Sequence, residues 1–504
     1  MHLYWDKLLN PIRNRTEPAV RRSENDKRTE FKKDFDAVCN STMLRRLQDK
    51  AQVFPLEDDD YARTRLTHSI EVMSIADSLA TNVIQIIKHS DNKKYWSADQ
   101  SLEREPEVMK LINDVPMILR AAALLHDMGN PPFGHLGEQI ICDWFNDHLD
   151  RWAFDANNVL AETGETARTL SVILKDCPMG DLKNDFIHFD GNAQLFRLVN
   201  KLNYVVDENG LNLTYPVMSA FIKYPSSSSS IDKKILWHKK TGYFFSEREL
   251  FQKLDEALCL DGYRHPLTFL LEAADDIAYL TADFEDAHKK GMIPIDMLKS
   301  YLLAEQEKCP DSFVENVLSS IDEYTEKAKS IGYTDVENYV AHRIRVLMKG
   351  LMISKVTSTF ESSYLEIMEK RFDKELLIAS EAARLSDILR RIQIENIYYS
   401  PQILKNKTRA ITVIRTLMDS YVKAVLNWDE SRDYGKDTAN NLIYQSLSKN
   451  YRFACRKAIE ACKDLSERER FAKTIYYKLL LVTDQISGMT DTHALSIYHD
   501  IVAG

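Results

Sequence analysis

The sequence predicts an all-α protein, predominantly helical with few or no strands. Two observations carry that expectation. Glycine and proline are sparse, 15 and 14 among 504 residues, and apolar residues recur mainly at three- and four-residue spacing, the period of a helix with one buried face. A composition of 44% hydrophobic and 28% charged residues is that of a chain with a sizeable packed core. The formal charge of −10 argues against coating nucleic acid through bulk charge, although Arg45, Arg46, Lys50, Arg63 and Arg65 could build a local basic patch. Seven cysteines without a C-x-x-C pair suggest reduced thiols. "MHLYWDKLLNPIRNR" lacks the apolar core of a signal peptide, and no window holds about eighteen uninterrupted apolar residues. A cytoplasmic location and no membrane partner are the expectation.

Taken in order, residues 1–40 are charge-rich and read as an arm with short helices. A helix follows in "STMLRRLQDKAQ", then a turn-rich loop through Pro55 and an acidic run. The next long helix has an apolar stripe of Val72, Met73, Ile75, Ala76, Leu79, Val83 and Ile86, with His68 near its start. "VPMILRAAALLHDMGNPP" predicts a buried helix that Gly129 and Asn130 can end and that the prolines cannot continue. Between 185 and 245 the helical pattern weakens, and five serines at 226–230, flanked by Lys223 and Lys240, read as a solvated flexible loop. "HPLTFLLEAADDIAYLTADFEDAHKKG" reads as a second long helix, starting after Pro266 and ending near Gly291. The division expected is an arm at 1–40, a catalytic core at 41–295 with a flexible insert near 205–245, and a helical C-terminal region at 296–504.

The chemistry concentrates in "ALLHDMGNPPFGHLGE", residues 123–138, where an apolar helix ends on a charged pair. Neighbouring helical residues point about 100° apart, so His126 and Asp127 share an ion only if it sits just off the helix. His68 and Asp275 lie on two other helices. Together the four offer a mixed imidazole and carboxylate site, suited to Mn, Fe, Co, Ni, Zn or Mg rather than calcium. Four protein ligands leave positions open for water or a phosphate oxygen. Asp275, Tyr279 and Asp283 fall at i, i+4 and i+8 and share a helix face, whereas Asp276 points elsewhere. Carboxylates in so apolar a helix need partners, because an unpaired buried charge is costly.

The H…HD…D pattern of His68, His126-Asp127 and Asp275 resembles that of the HD-domain phosphohydrolases, and six blocks, "RRLQDKAQVFP", "RTRLTHSIEV", "LLHDMGNPPFGHLGE", "FIKYP", "KKTGYFFSE" and "EAADDIAYLTADFEDA", narrow the resemblance by their order and spacing. Among these the chain resembles the bacterial deoxyguanosinetriphosphate triphosphohydrolases. The match runs from about residue 40 to 290 and is loose beyond. The resemblance implies an HD-domain helical core and assigns His68, His126, Asp127 and Asp275 to a divalent metal, Mn or Mg foremost, with Fe, Co, Ni or Zn as alternatives. His135 and Glu138 match the family's catalytic histidine and its supporting acid. Gln52, Arg65, Lys223, Tyr224, Lys240, Tyr279, Asp283 and Arg452 match substrate-binding positions. The family's KPGY-type block reads "KTGY" here. The implied reaction converts dGTP to deoxyguanosine and inorganic triphosphate. The implied assembly is a homo-oligomer, a hexamer by analogy, with single-stranded DNA as a candidate effector.

Alternatives stay open at this level. One is a broad dNTP triphosphohydrolase activated by a second nucleotide, and another an HD phosphohydrolase acting on nucleoside monophosphates or cyclic nucleotides. A third is a nucleic-acid-binding regulator with a vestigial HD site. The residues alone do not separate a general acid–base role for His135 from direct nucleophilic attack.

Overall fold

Thr64 starts the helix that carries His68. Its hydroxyl accepts the backbone N–H of Thr67 at 3.3 Å, and the Thr67 hydroxyl accepts that of Thr64 at 3.0 Å. This reciprocal cap satisfies two donors that a helix start otherwise leaves without partners. The structure, a computed structural model, describes residues 2–15, 25–54, 62–99, 104–155, 160–162, 167–178, 180–203, 207–428 and 439–503. The loop expected through Pro55 and the acidic run lies outside the described residues.

Three helices form the centre. The His68 helix, Arg65–Lys88, packs against Val115–Leu125 and Pro266–Lys289. It contributes Val72, Ile75, Ala76, Leu79 and Val83, all buried. The Val115–Leu125 helix buries Ile118, Leu119 and every residue from Ala121 to Leu125; its three alanines let neighbouring backbones approach closely. By length and composition the His68 helix could cross a membrane, but half of its apolar window is buried within this fold. It is the core helix that holds a site residue.

Val336–Ser362 packs against both Pro266–Lys289 and the His68 helix. Further along, Pro401–Asn427 packs on His135–His148 and on Glu467–Ser487, closing the C-terminal half over the "GHLGE" segment. Among the described residues the strands form one small antiparallel sheet, with Trp152–Phe154 between Leu160–Glu162 and Arg168–Thr169.

Three local expectations differ from what the fold does. The start of the chain is no simple arm: Leu3, Trp5, Leu8 and Leu9 are in the core, and the Trp5 indole donates to the Tyr364 hydroxyl at 2.7 Å. The serine run is solvated only in part: Ser229 and Ser230 are exposed. Ser226 and Ser228 are buried; the Ser226 hydroxyl donates to the Lys240 carbonyl at 2.6 Å and Ser228 donates to the Asp185 carboxylate. Serines can serve as compact donors inside a fold, so a run of them does not dictate exposure. Of the five basic residues expected to build a patch, Arg45 and Arg46 are exposed and the other three are withdrawn from the surface. Lys50 is buried, Arg63 is paired with Glu71, Glu285 and Asp286, and Arg65 with Asp127.

Candidate active site

Each metal-type ligand is delivered by a helix end or a helix face. His68 is in the first turn after the Thr64 cap, fully buried, with Nε2 3.0 Å from Asp275 Oδ1. The Val115–Leu125 helix stops at Leu125 and His126 caps it. The His126 Nδ1–H donates to the Ala123 carbonyl at 2.7 Å. That hydrogen bond fixes the tautomer and turns the Nε2 lone pair toward the site. Asp127 follows in the turn. Its Oδ2 accepts from Arg65 at 2.6 Å, and its Oδ1 from the Asn130 side-chain amide at 2.6 Å.

Ligand atoms of His68, His126 and Asp127 lie within 4.8 Å of one another. Asp275 Oδ1 is 3.5 Å from His126 Nε2. His126 Nε2 is buried and has no hydrogen-bond partner among the described residues. A buried imidazole lone pair directed at carboxylates fits a divalent cation in a mixed nitrogen and oxygen site. Charge is strongly coupled here. Burial opposes the His126 cation, but Asp127 and Asp275 outweigh it and raise the imidazole to about 9. Burial likewise opposes the Asp127 anion, yet Arg65 and the two histidines bring that carboxyl down to about 2.

The loop after Asp127 depends on close backbone packing. A Cβ at Gly129 would lie 2.0 Å from the Gly191 carbonyl oxygen. Gly134 has φ +60°, and a Cβ there would meet the Arg65 guanidinium at 2.2 Å. With both positions free of side chains, the chain turns at once into the helix His135–His148. His135 is exposed, and its Nδ1–H donates to Glu138 Oε2 at 2.8 Å. Buried Glu138 is held at its other oxygen by the Gly191 N–H, also at 2.8 Å. The Glu138 hydrogen bond and charge raise the His135 imidazole above its usual range, leaving Nε2 for reacting groups.

Two cavities meet at these residues. The smaller, about 180 Å³, is lined by Lys223, Tyr224 and Lys240 together with His126, Asp127, His135 and Asp275. The larger, about 530 Å³, is lined by Gln52, Arg65, Tyr279 and Asp283, and shares Asp127, His135, Lys223 and Asp275 with the first. Lys223 Nζ lies 3.0 Å from Glu272, and Lys240 Nζ 3.2 Å from Asp190. These lysines are held in place by carboxylates while lining the cleft. His68 and Glu138 stand just behind its wall.

Two sequence expectations need correction. Arg452 lines neither cavity; it sits on Lys449–Glu460 with its guanidinium 5.5 Å from the Tyr444 ring centroid. Asp276 does not point away: it lines the larger cavity beside Asp275. A cavity this wide spans the 100° between consecutive helix positions. Burial raises the Asp276 carboxyl to about 7, although Lys223 opposes the shift.

The C-terminal wall holds residues that the sequence did not single out. Arg390 donates through Nε to the Tyr279 hydroxyl at 3.0 Å, and the Tyr398 hydroxyl donates to Asp283 at 3.3 Å. Gln393, Asn406 and Lys407 complete that side. Each lies on an amphipathic helix or its end, where polar residues ordinarily read as a solvated face. Gln52 Oε1, Asp276 Oδ2 and Gln393 Oε1 are buried without a partner among the described residues. Such atoms along a cleft call for a polar ligand.

A helical bundle presenting a histidine, a His-Asp pair and a distant aspartate around one point defines an HD-domain protein, and the HD-domain family model matches residues 65–175. Relatives extend the likeness over almost the whole chain. The sequence is 37% identical to the deoxyguanosinetriphosphate triphosphohydrolase-like protein of Listeria monocytogenes, covering 98% of each chain. It is 28% identical to the deoxyguanosinetriphosphate triphosphohydrolase of Yersinia enterocolitica over 94% of each, and 28% identical to that of Yersinia pestis over 97% and 96%. The chain belongs to the deoxyguanosinetriphosphate triphosphohydrolase family.

Proposed function

We propose that this protein hydrolyses deoxynucleoside triphosphates, dGTP foremost, at the sugar-proximal phosphorus, releasing the deoxynucleoside and intact triphosphate. The observation that carries this reading is the junction of the two cavities. Asp127, His135 and Asp275 line both. Phosphates in the lysine-bearing cavity and a nucleoside in the larger one would place the bond between them at those residues. A divalent metal held by His68, His126, Asp127 and Asp275, Mn²⁺ or Mg²⁺, would supply Lewis-acid polarisation of a phosphate oxygen.

The protein's own groups divide the remaining work. Lys223, Lys240 and Arg65 bind the triphosphate, orient it and stabilise the charge it carries on leaving. His135 exchanges a proton at Nε2 with water or the leaving oxygen, while Glu138 fixes its tautomer. Tyr279, anchored by Arg390, walls the sugar against a ribose 2′-hydroxyl. Tyr224 packs beside the phosphates. Asp283, with Tyr398, is placed for the sugar hydroxyl, and Gln52, Gln393 and Asn406 for polar edges of the sugar and base.

Residues Ile394, Tyr399, Leu404 and Ile411 are exposed near the cavity wall. That apolar surface supports assembly of several copies, which the hexamer expectation requires.

The deciding experiment incubates purified protein with each of the four dNTPs and GTP, with Mn²⁺ or Mg²⁺, and identifies the products. Deoxyguanosine and triphosphate are expected, with GTP poorly used. Orthophosphate or pyrophosphate as first product would overturn the cleavage position. Tyr279→Ala is expected to narrow the dGTP-to-GTP preference by about tenfold or more. A requirement for a second dNTP would identify the nucleotide-activated alternative.

A further inference from the structure

The turn between the last two helices, Glu467–Ser487 and Asp491–Ala503, grips the site from behind. Asp491 is buried, and its two carboxylate oxygens accept different backbone donors. Oδ1 accepts the N–H of Phe133 at 3.0 Å and Oδ2 that of Ala51 at 3.0 Å. Lys50 is buried beside it, donating to the Asn130 carbonyl at 2.6 Å and the Ser487 carbonyl at 2.8 Å. The same turn is tied once more through Arg46, which donates to the Gly488 carbonyl at 2.9 Å.

Each tie ends on a segment that sets a site residue. Asn130 orients Asp127 through its side-chain amide. Phe133 has φ +63°, a left-handed conformation that a bulky residue does not adopt without external support. It stands two positions before His135. The Lys50 carbonyl accepts the Arg65 N–H at 2.8 Å, at the first residue of the His68 helix. Three segments that carry the metal-type and acid–base groups are therefore joined to one C-terminal turn.

We infer that Asp491 and Lys50 are positioning residues: a two-residue clasp through which the C-terminal turn holds Asp127 and His135 in reactive geometry. Neither contacts the phosphate-binding lysines Lys223 and Lys240, which come from other segments. The clasped segments also carry Gln52 and adjoin Arg65, so loosening the clasp should lower kcat more than it raises KM. The expected kinetic effect rests on the proposed dNTP hydrolysis, whereas the structural effect does not.

Two variants of the full chain test this, Asp491→Asn, which keeps one acceptor oxygen, and Lys50→Met, which keeps the apolar stem. Hydrogen–deuterium exchange by mass spectrometry is compared with that of the unaltered protein, and dGTP kinetics are measured at saturating Mn²⁺. Faster exchange at residues 127–135 and at the directly bonded segments around 50–51 and 487–491, with kcat down about 10- to 100-fold and KM changed by a clearly smaller factor, is the expected result. Either variant suffices if the other does not fold. Local loosening in a protein whose unaltered form does not hydrolyse dGTP would support the clasp and remove the functional reading. Unchanged exchange at 127–135 in a folded variant would overturn the clasp. So would loosening spread evenly over the core, or a loss confined to KM.

Discussion

Glu138 Oε2 lies 2.8 Å from Nδ1 of His135 and holds the imidazole with Nε2 directed away from it. The hydrogen bond and charge of Glu138 raise the His135 pKa. With Glu138→Gln the charge is lost and the imidazole falls back, so the limb of the pH–rate profile governed by His135 moves to lower pH. His135→Ala should lower kcat by about 10²–10⁴-fold, the range for a general acid–base group. A profile unmoved, or moved to higher pH, in Glu138→Gln would separate this pair from catalysis.

Removing a metal-type ligand should abolish metal binding without unfolding the chain. His126→Ala deletes a buried Nε2 that faces Asp127 and Asp275 and has no hydrogen-bond partner among the described residues. Mn²⁺ titration followed by electron paramagnetic resonance should then lack its tight phase, with the helical circular dichroism unchanged. Chelation of the unaltered protein should stop hydrolysis, and added Mn²⁺ should restore it.

Two glycines should respond in opposite directions to one added methyl group. At Gly129 a Cβ would sit 2.0 Å from the Gly191 oxygen and 2.4 Å from the Leu195 nitrogen. Both obstacles are backbone, so Gly129→Ala should destabilise by about 1–3 kcal/mol. At Gly350, inside Val336–Ser362, a Cβ meets nothing within 4 Å. Gly350→Ala should stabilise by about 0.5–1 kcal/mol, since the unfolded chain loses freedom and the helix does not. Thermal or urea unfolding reads both.

Asp283 provides a pH signature. Burial, then the neighbouring Asp286, raises its carboxyl to about 8, and the Tyr398 hydrogen bond offsets only part of this. Between about pH 4, where an unfolded aspartate ionises, and about pH 8, the folded protein keeps a proton that the unfolded chain has released. The folded state binds more protons in that window, so stability falls as pH rises through it and levels off above. Asp283→Asn removes the effect. The variant should melt above the native protein at pH 8, with the gain shrinking toward pH 4; an equal difference at both pH values would contradict the assignment.

Much of the site was legible because its signals are short-range. The stripe from Val72 to Val83 gave the His68 helix its buried face. The i, i+4, i+8 spacing of Asp275, Tyr279 and Asp283 put all three on one cavity wall. The prolines after Asn130 set a limit the helix could not pass, although it ends earlier, at Leu125. Where the reading failed, composition stood in for environment. A serine run looked solvated, yet Ser226 holds the Lys240 carbonyl. Arg452 lay in a plausible segment, but its helix turns it toward Tyr444.

By itself the sequence determined the helical class and the identity of the groups around His126 and Asp127, because helical period, capping and turn chemistry act over a few residues. Only the tertiary structure decided what surrounds them. Phe133 and Asp491 are 358 positions apart, as are the ends of no local motif, and share a hydrogen bond. Arg390 reaches Tyr279 across 111 positions. Such pairs follow from how helices stack and which cavity they leave between them, and no periodicity along the chain encodes that.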